Sequence, residues 1–295
     1  MEYRIKHTTL YQYSEPVTLC HNRAILKPKD GMGQKCHKFT LRIDPEPAIM
    51  ESHKDAFGNT VHYFEIHEPH KQLEITATSQ LTRTPVLLPP MAMENSPAWE
   101  SVRSQFDAGD GNEDMVHVAL YRMPSPMIPA LPALAELTDP IFTPGRPILE
   151  ATMAFTQAIH EGFKYDPEAT TIATPITAVL AQRAGVCQDF AHIAVGALRQ
   201  IGLAARYVSG YLETLPPPGQ PRLEGADASH AWFSLYLPGL GWVDFDPTNG
   251  CMTESHHLVV AVGRDYADVP PVKGVVMGGW EHTLEVAVDV VRQTV

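Results

Sequence analysis

Residues 185–192 read Gly-Val-Cys-Gln-Asp-Phe-Ala-His, a glycine and a cysteine set at the start of an apolar helix. A thiol in the first helical turn lies at the positive end of the dipole, near unpaired N–H groups, and that environment favours the nucleophilic thiolate. Cys187 is therefore a candidate nucleophile, and the alternative is a small buried apolar cysteine. The helix is expected to end at Gly202, and its apolar face comprises Phe190, Ala191, Ala194, Val195, Leu198 and Ile201.

Two polar residues of this helix have expected roles. Asp189, in the first turn, suits the helix dipole, and Arg206 is its candidate ion-pair partner, the alternative being an exposed solvated pair. His192 follows Cys187 by five residues, too far round the helix to be the obvious base. It is expected to be a hydrogen-bonded core side chain.

Composition and charge narrow the class of protein. The chain has 295 residues and a formal net charge of −12, which argues against nucleic acid or anionic lipid as its main partner. It lacks the run of about 18 apolar residues that a transmembrane helix needs. Residues 1–7 lack the apolar region of a signal peptide, so the expected compartment is the cytoplasm. The cysteines at 20, 36, 187 and 251 show no disulfide-framework spacing, and reduced thiols are expected.

Three regions of the chain differ in pattern. Residues 1–85 carry short alternating strands with polar turns, which indicates an N-terminal antiparallel β-sandwich-like domain. Residues 86–146 are rich in proline and are interpreted as a connecting segment with short helices. Residues 147–295 carry helices, then strands, a Pro-rich loop at 215–219 and a final strand at 284–291, and form the predicted catalytic core. The predicted fold class is α+β.

A thiolate nucleophile needs a proton carrier and a third group that orients the carrier. His230 begins one predicted strand, and Asp246 ends the next. If the two strands pair across the turn at 238–239, position 230 lies opposite about position 247, within one residue of Asp246. Asp244 shares a strand face with Asp246 and is the alternative orienting carboxylate.

Four motifs follow one another in the second half of the chain: residues 185–192, the run ARYVSGY at 205–211, Ser-His-Ala-Trp at 229–232, and residues 242–249. Together they resemble the bacterial transglutaminase-like superfamily. The N-terminal strands resemble the domain that often accompanies it, and residues 263–271 are also similar to that family.

The resemblance implies a papain-like core, in which the helix carrying Cys187 packs on an antiparallel sheet, and a Cys187–His230–Asp246 triad. Members of the superfamily include crosslinking transglutaminases, peptidases and amidases. By the same analogy, His256 and His257 are expected to border the cleft.

One departure from the family pattern concerns the oxyanion donor. Animal transglutaminases have a tryptophan some way before the cysteine. The tryptophans here are at 99, 232, 242 and 280, so none lies in that span. Tyr165 is the nearest polar aromatic residue upstream, and the Cys187 backbone N–H is the other natural donor. Further oxyanion or cleft candidates are Gln188, Trp232 and Trp242. The departure favours hydrolysis over transamidation.

The expected function is that of a thiol enzyme that hydrolyses amide bonds through an acyl-enzyme on Cys187, with a protein or peptide substrate. The alternatives are a crosslinking transglutaminase and a non-catalytic binding module on the same fold. No cofactor or metal is expected, because Cys20-His21 and Cys36-His37 would each place their two side chains on opposite strand faces. The sequence leaves the oligomeric state open.

Overall fold

The computed structural model describes residues 1–84, 88–108, 113–213 and 229–293. The loop predicted at 215–219 lies outside these ranges. In the described part of the chain, no helix is both long enough and apolar enough to cross a membrane.

The N-terminal region is one antiparallel sheet built on a long strand, β1. Its strands are β1 (Glu2–Ala24), β2 (Gln34–Asp44), β3 (Ile49–Lys54), β4 (Thr60–Ile66) and β5 (His70–Arg83), in the order β2-β5-β1-β4-β3. The first half of β1 pairs with β5 and the second half with β4, and the register shifts between Gln12 and Val17. Apolar side chains from β1, β2, β4 and β5 form one core of this predicted antiparallel domain: Val17, Cys20, Ala24, Ile43, Phe64, Ile66, Leu73, Ile75 and Ala77.

The described part of the predicted connecting segment consists of short helices. They are α1 (Ala92–Asn95), α2 (Trp99–Ala108) and α3 (Glu113–Ala119), with 3₁₀ turns at Leu120–Arg122 and Pro132–Leu137. The segment does more than connect, because its apolar side chains are buried in the same core as the following helices. These side chains are Val102, Phe106, Val118, Tyr121, Ile128, Leu134 and Phe142.

The second half of the chain is a helical layer on an antiparallel sheet. Its elements are α4 (Ile148–Gly162), β6 (Lys164–Tyr165), α5 (Ile176–Gln182), β7 (Ala184–Gly185), α6 (Cys187–Gln200), β8 (Ala205–Leu212), β9 (Ser229–Leu237), β10 (Gly241–Asp246), β11 (Cys251–Met252) and β12 (His257–Gly263). The sheet has the order β11-β10-β9-β8-β12, and α6 packs on β8 and β9. Every residue of α6 from Asp189 to Arg199 is buried, so the helix meets solvent mainly at its two ends. The α+β fold class predicted from the sequence is confirmed.

The last two strands, β13 (Val272–Gly278) and β14 (His282–Gln293), correct one prediction. The sequence assigns the C-terminal strand to the catalytic core, but both strands pair with β1 in the N-terminal sheet. The reason is that each half of β1 has two edges: β5 and β14 flank its first half, and β4 and β13 flank its second half, so β13 and β14 supply the hydrogen bonds that β4 and β5 leave open. The chain thus returns to the domain in which it began.

Candidate active site

The start of α6 is held by a carboxylate in its first turn. The Val186 N–H donates to Asp189 Oδ2 at 2.9 Å, and the Thr170 hydroxyl donates to the same oxygen at 2.7 Å. Gly185 is required because a Cβ at this position would lie 2.5 Å from Asp189 Oδ2. The backbone before Cys187 is therefore positioned by the Asp189 carboxylate, and it requires a residue without a side chain at position 185.

The predicted Asp189–Arg206 ion pair is wrong. The Arg206 guanidinium is buried elsewhere, where Nε donates to the Ser234 hydroxyl at 3.2 Å and the group lies 4.1 Å from the centre of the Trp242 ring. Trp242 also packs edge-on against Tyr121, and it lines other cavities than the one at Cys187. It is therefore not a wall of the site around the thiol.

His230 lies between the thiol and a carboxylate. Its Nε2 bonds Asp246 Oδ2 at 2.7 Å, and Cys187 interacts electrostatically with the same imidazole. The β9–β10 ladder pairs Phe245 with Phe233, and extending that register places position 248 opposite His230, one residue from the expected 247. The three residues that the sequence selected are thus brought together.

Asp246 is a fully buried acceptor of five hydrogen bonds. Its Oδ1 accepts from the backbone N–H groups of Thr248 (2.9 Å) and Asn249 (3.1 Å). Its Oδ2 accepts from Asn249 Nδ2 (2.6 Å) and His257 Nε2 (3.0 Å), in addition to His230. Burial alone would raise the pKa of Asp246, but the bonds from His230 and His257 outweigh it and hold the pKa below its ordinary value. The carboxylate is therefore ionised and held in one orientation.

The same contacts set the charge of His230. Burial acts to lower the pKa of His230, but the hydrogen bond to Asp246 and the interaction with Cys187 raise it well above its ordinary value. An imidazolium beside a thiol stabilises the thiolate. Cys187 therefore faces an imidazole that is protonated at neutral pH.

His257 is the partner of Asp246 that sequence reasoning missed. Its Nδ1 accepts the Glu254 N–H at 3.0 Å, so Nε2 carries the proton of the neutral ring and donates it to Asp246. Analogy placed this histidine at the cleft border, yet its side chain is fully buried. No local pattern signals this contact, because His257 lies on β12 and Asp246 on β10.

Trp232 lies beneath the histidines. A Cβ at Gly210 would lie 2.4 Å from the Trp232 ring, so the missing side chain lets this indole cross β8. The indole ring contacts His257 edge-on at 5.4 Å and His230 at 6.0 Å. Its Nε1 donates to Asp244 at 3.3 Å. Trp232 therefore supports the histidine rings and is not a cleft wall, and Asp244 is not the carboxylate at His230.

A cavity of about 440 Å³ opens at Cys187, between the core and the N-terminal sheet. Gln188 lines it, whereas Tyr165 does not; the Tyr165 side chain is 53% exposed and its ring contacts Phe190. The residues on the core side of the cavity are Ile172, Val186, Cys187, Gln188, Tyr207, Ser209, Ser229, His230, Ala231 and Tyr266. The residues on the side of the N-terminal sheet are His7, Thr9, Tyr11, Pro271, Val272, Leu284, Val286 and Val288.

His230, Asp246 and His257 are the only group among the described residues with metal-ligand spacing, their ligand atoms lying within 4.8 Å of one another. The same nitrogens and oxygens already bond one another, and Asp246 and His257 are fully buried. The geometry fits a hydrogen-bonded cluster and not a metal centre.

Comparison with known proteins agrees with this geometry. Residues 3–82 match the model of the bacterial transglutaminase-like N-terminal region, and residues 135–247 match that of the transglutaminase-like superfamily. An uncharacterized protein of Mycobacterium tuberculosis H37Rv is 40% identical over 297 residues, which cover 98% of this chain and 92% of that protein. The chain belongs to the transglutaminase-like superfamily.

Three further proteins extend the comparison. An uncharacterized protein of Mycobacterium leprae is 30% identical over 98% of both chains. A protein-glutamine gamma-glutamyltransferase of Pseudomonas aeruginosa is 32% identical over 103 residues, which are 32% of this chain and 15% of that protein. The crystal structure of a candidate cysteine protease from Cytophaga hutchinsonii superimposes with a TM-score of 0.77 at 20% identity, covering 99% of this chain and 90% of that one, and shares its fold.

Proposed function

We propose that this protein is a thiol enzyme that hydrolyses amide bonds in a protein or peptide substrate. The observation that supports the proposal most is the series Cys187–His230–Asp246, in which His230 bonds Asp246 at 2.7 Å and interacts with Cys187, and in which Cys187 and His230 line a cavity of about 440 Å³. A nucleophile, a proton carrier and an orienting carboxylate in contact are the groups that acyl transfer requires.

The reaction follows from the positions of these groups. The Cys187 thiolate attacks the carbonyl carbon, the carbonyl electrons move to oxygen, and the C–N bond breaks as the His230 imidazolium protonates the departing amine. Neutral His230 then takes a proton from water, whose oxygen attacks the thioester carbon; the S–C bond breaks, the acid is released, and the Cys187 thiolate and the His230 imidazolium are regenerated. Asp246 keeps the imidazole in one tautomer and stabilises its cation in both steps.

Hydrolysis is favoured over transfer to an amine because of what lines the cavity. An acceptor amine competes with water only where apolar walls exclude water and orient the amine. Trp232 and Trp242, the tryptophans nearest the proposed triad in sequence, are both turned away from this cavity. The N-terminal side of the cavity is largely apolar, but the hydroxyl side chains of Thr9, Ser209 and Ser229 also line the cavity and offer hydrogen bonds to water.

Crosslinking transfer is the second candidate, and one observation favours it. The named relative from Pseudomonas aeruginosa is a protein-glutamine gamma-glutamyltransferase, although the match covers 15% of that protein. On this alternative, the acyl-enzyme on Cys187 forms from a glutamine side chain and a primary amine replaces water.

One experiment separates these candidates. Fluorescently labelled casein is incubated with wild-type protein, Cys187→Ala and Cys251→Ala, with and without a fluorescent primary amine. Cys251 is the matched control because it is also a half-buried free thiol, and burial raises its pKa to about 11, so it stays protonated. We expect wild type and Cys251→Ala, but not Cys187→Ala, to release peptide or ammonia. The amount released should exceed the amount of dye incorporated. Dye incorporation that exceeds peptide or ammonia release would favour the transferase. Activity of Cys187→Ala equal to that of the wild type would reject both candidates.

A further inference from the structure

Tyr207 on β8 is a buried tyrosine whose hydroxyl is not used by the fold. The side chain is 2% exposed, and Tyr207 lines the same cavity as Cys187 and His230. Within the described ranges the structure gives its hydroxyl no hydrogen-bond partner. Because Tyr207 lines the cavity, its hydroxyl is available to donate a hydrogen bond to a ligand that binds there.

Tyr211, four residues further along β8 and on the same strand face, provides the contrast. It is also buried, at 3% exposed, but its hydroxyl bonds His7 Nδ1 at 2.8 Å. Tyr211 does not line the cavity. Of these two neighbouring tyrosines, one hydroxyl is used by the fold and the other is left for the cavity.

The Tyr207 ring is held in place from two sides. His192 contacts it at 5.1 Å and Tyr266 meets it edge-on at 6.4 Å. The Tyr266 N–H in turn donates to His192 Nε2 at 3.1 Å, which fixes one neighbour relative to the other. A donor on a fixed ring is preorganised, the property that makes electrostatic stabilisation of a transition state effective.

The hydroxyl is protonated and near the thiol. Burial, and then the charge of Cys187, raise the pKa of Tyr207 well above its ordinary value. The group is therefore a neutral phenol at neutral pH. A phenol can donate a hydrogen bond to an oxyanion.

We propose that the Tyr207 hydroxyl donates a hydrogen bond to the carbonyl oxygen of the acyl donor as Cys187 Sγ attacks its carbon. The S–C bond forms, the carbonyl π electrons pass to oxygen, and Tyr207 and the Cys187 backbone N–H stabilise the resulting oxyanion without transferring a proton. This assignment rests on the proposed function. It replaces Tyr165, whose side chain is half exposed and does not line the cavity.

Two reagents separate oxyanion stabilisation from thiol reactivity. Iodoacetamide alkylates a thiolate by displacement, without a tetrahedral oxyanion, whereas p-nitrophenyl acetate acylates it through one. For Tyr207→Phe we expect an alkylation rate at Cys187 within about twofold of wild type and an acylation rate about 10–100-fold lower, since an oxyanion donor contributes up to 10²–10³. An unchanged acylation rate, or an equal fall in both rates, would overturn the assignment.

Tyr211→Phe is the matched control. It loses the bond to His7, so we expect a lower melting temperature and a wild-type acylation rate, the reverse of Tyr207→Phe. A fall in acylation confined to Tyr165→Phe would transfer the role to Tyr165. If p-nitrophenyl acetate does not acylate Cys187 of the wild type, the proposed function fails as well, whereas wild-type rates in Tyr207→Phe reject this inference alone.

Discussion

The two sides of the cavity at Cys187 are built differently. On the core side, Cys187 and His230 are positioned by hydrogen bonds and by a fully buried carboxylate. On the N-terminal side, Leu284 and Val286 of β14 are each 50% exposed apolar side chains. Chemistry requires positions fixed to a fraction of an ångström, whereas apolar binding requires area. We infer that the core side determines the rate of reaction and that the sheet side determines which substrate binds.

The largest expected effect is that of Cys187→Ala on the core side. Turnover should be abolished, because the alternative free thiols at 20, 36 and 251 do not line the cavity. The fold should remain, since the loss of one sulfur at a helix start costs at most about 1–2 kcal/mol. Activity and a thermal melt are measured together. A melting temperature that collapses along with activity would show that Cys187 is a structural residue.

His257→Phe tests the support of the core side. It removes a neutral donor from Asp246, so we expect the rate of acyl-enzyme formation to fall by about 10–100-fold, as for the loss of an outer partner of a functional group. His257→Gln keeps a donor and should recover part of the loss. His256→Phe is the matched control, because that neighbour approaches Glu254 and not Asp246. Equal effects of the two phenylalanine variants would indicate general damage to β12.

The pH dependence tests the charge on His230. Because the hydrogen bonds raise its pKa, His230 keeps its proton at neutral pH and loses it only as pH rises through that raised value. Amine release from a peptide amide should therefore persist well above pH ~6.5, the ordinary histidine pKa. The stability that His230 contributes should be lost over the same alkaline range.

Asp246→Asn removes the anion that raises the pKa of His230, so the alkaline limb of amine release should move to lower pH. The profiles of wild type and variant are compared in one buffer series. A limb that stays in place would show that Asp246 does not set the charge of His230.

The smallest effect is expected on the sheet side. Val286→Ser removes half-exposed apolar area from the cavity, so we expect KM for casein to rise about two- to fivefold with little change in kcat. Val291→Ser is the matched control, since Val291 lies on the opposite face of β14, outside the cavity. A kcat effect equal to that of His257→Phe would remove the distinction between the two sides.

The sequence could predict the core side because its signals are local. A helix start placed Cys187, and the turn of one hairpin placed His230 near Asp246 to within one residue. The α+β fold class followed from the same periodicities. In each case a few neighbouring residues fix the backbone, and no distant partner has to be known.

The rest depends on contacts between distant parts of the chain. His257 reaches Asp246 from another strand, and Trp232 crosses β8 only because residue 210 is a glycine. The alternation in β14 predicts a strand but not its partner, which is β1 at the other end of the chain. Charge alone suggests an ion pair between Arg206 and Asp189, whereas burial against Trp242 decides the position of the Arg206 guanidinium.

The proposed reaction depends on Cys187 as the residue that carries the acyl group. The direct measurement is peptide mapping after a brief reaction with p-nitrophenyl acetate at neutral pH, followed by acid quench. We expect a single acetyl group on the peptide that contains Cys187, formed more slowly in Tyr207→Phe and absent in Cys187→Ala. Acetylation that maps to Cys20, Cys36 or Cys251, or that persists in Cys187→Ala, would contradict this proposal.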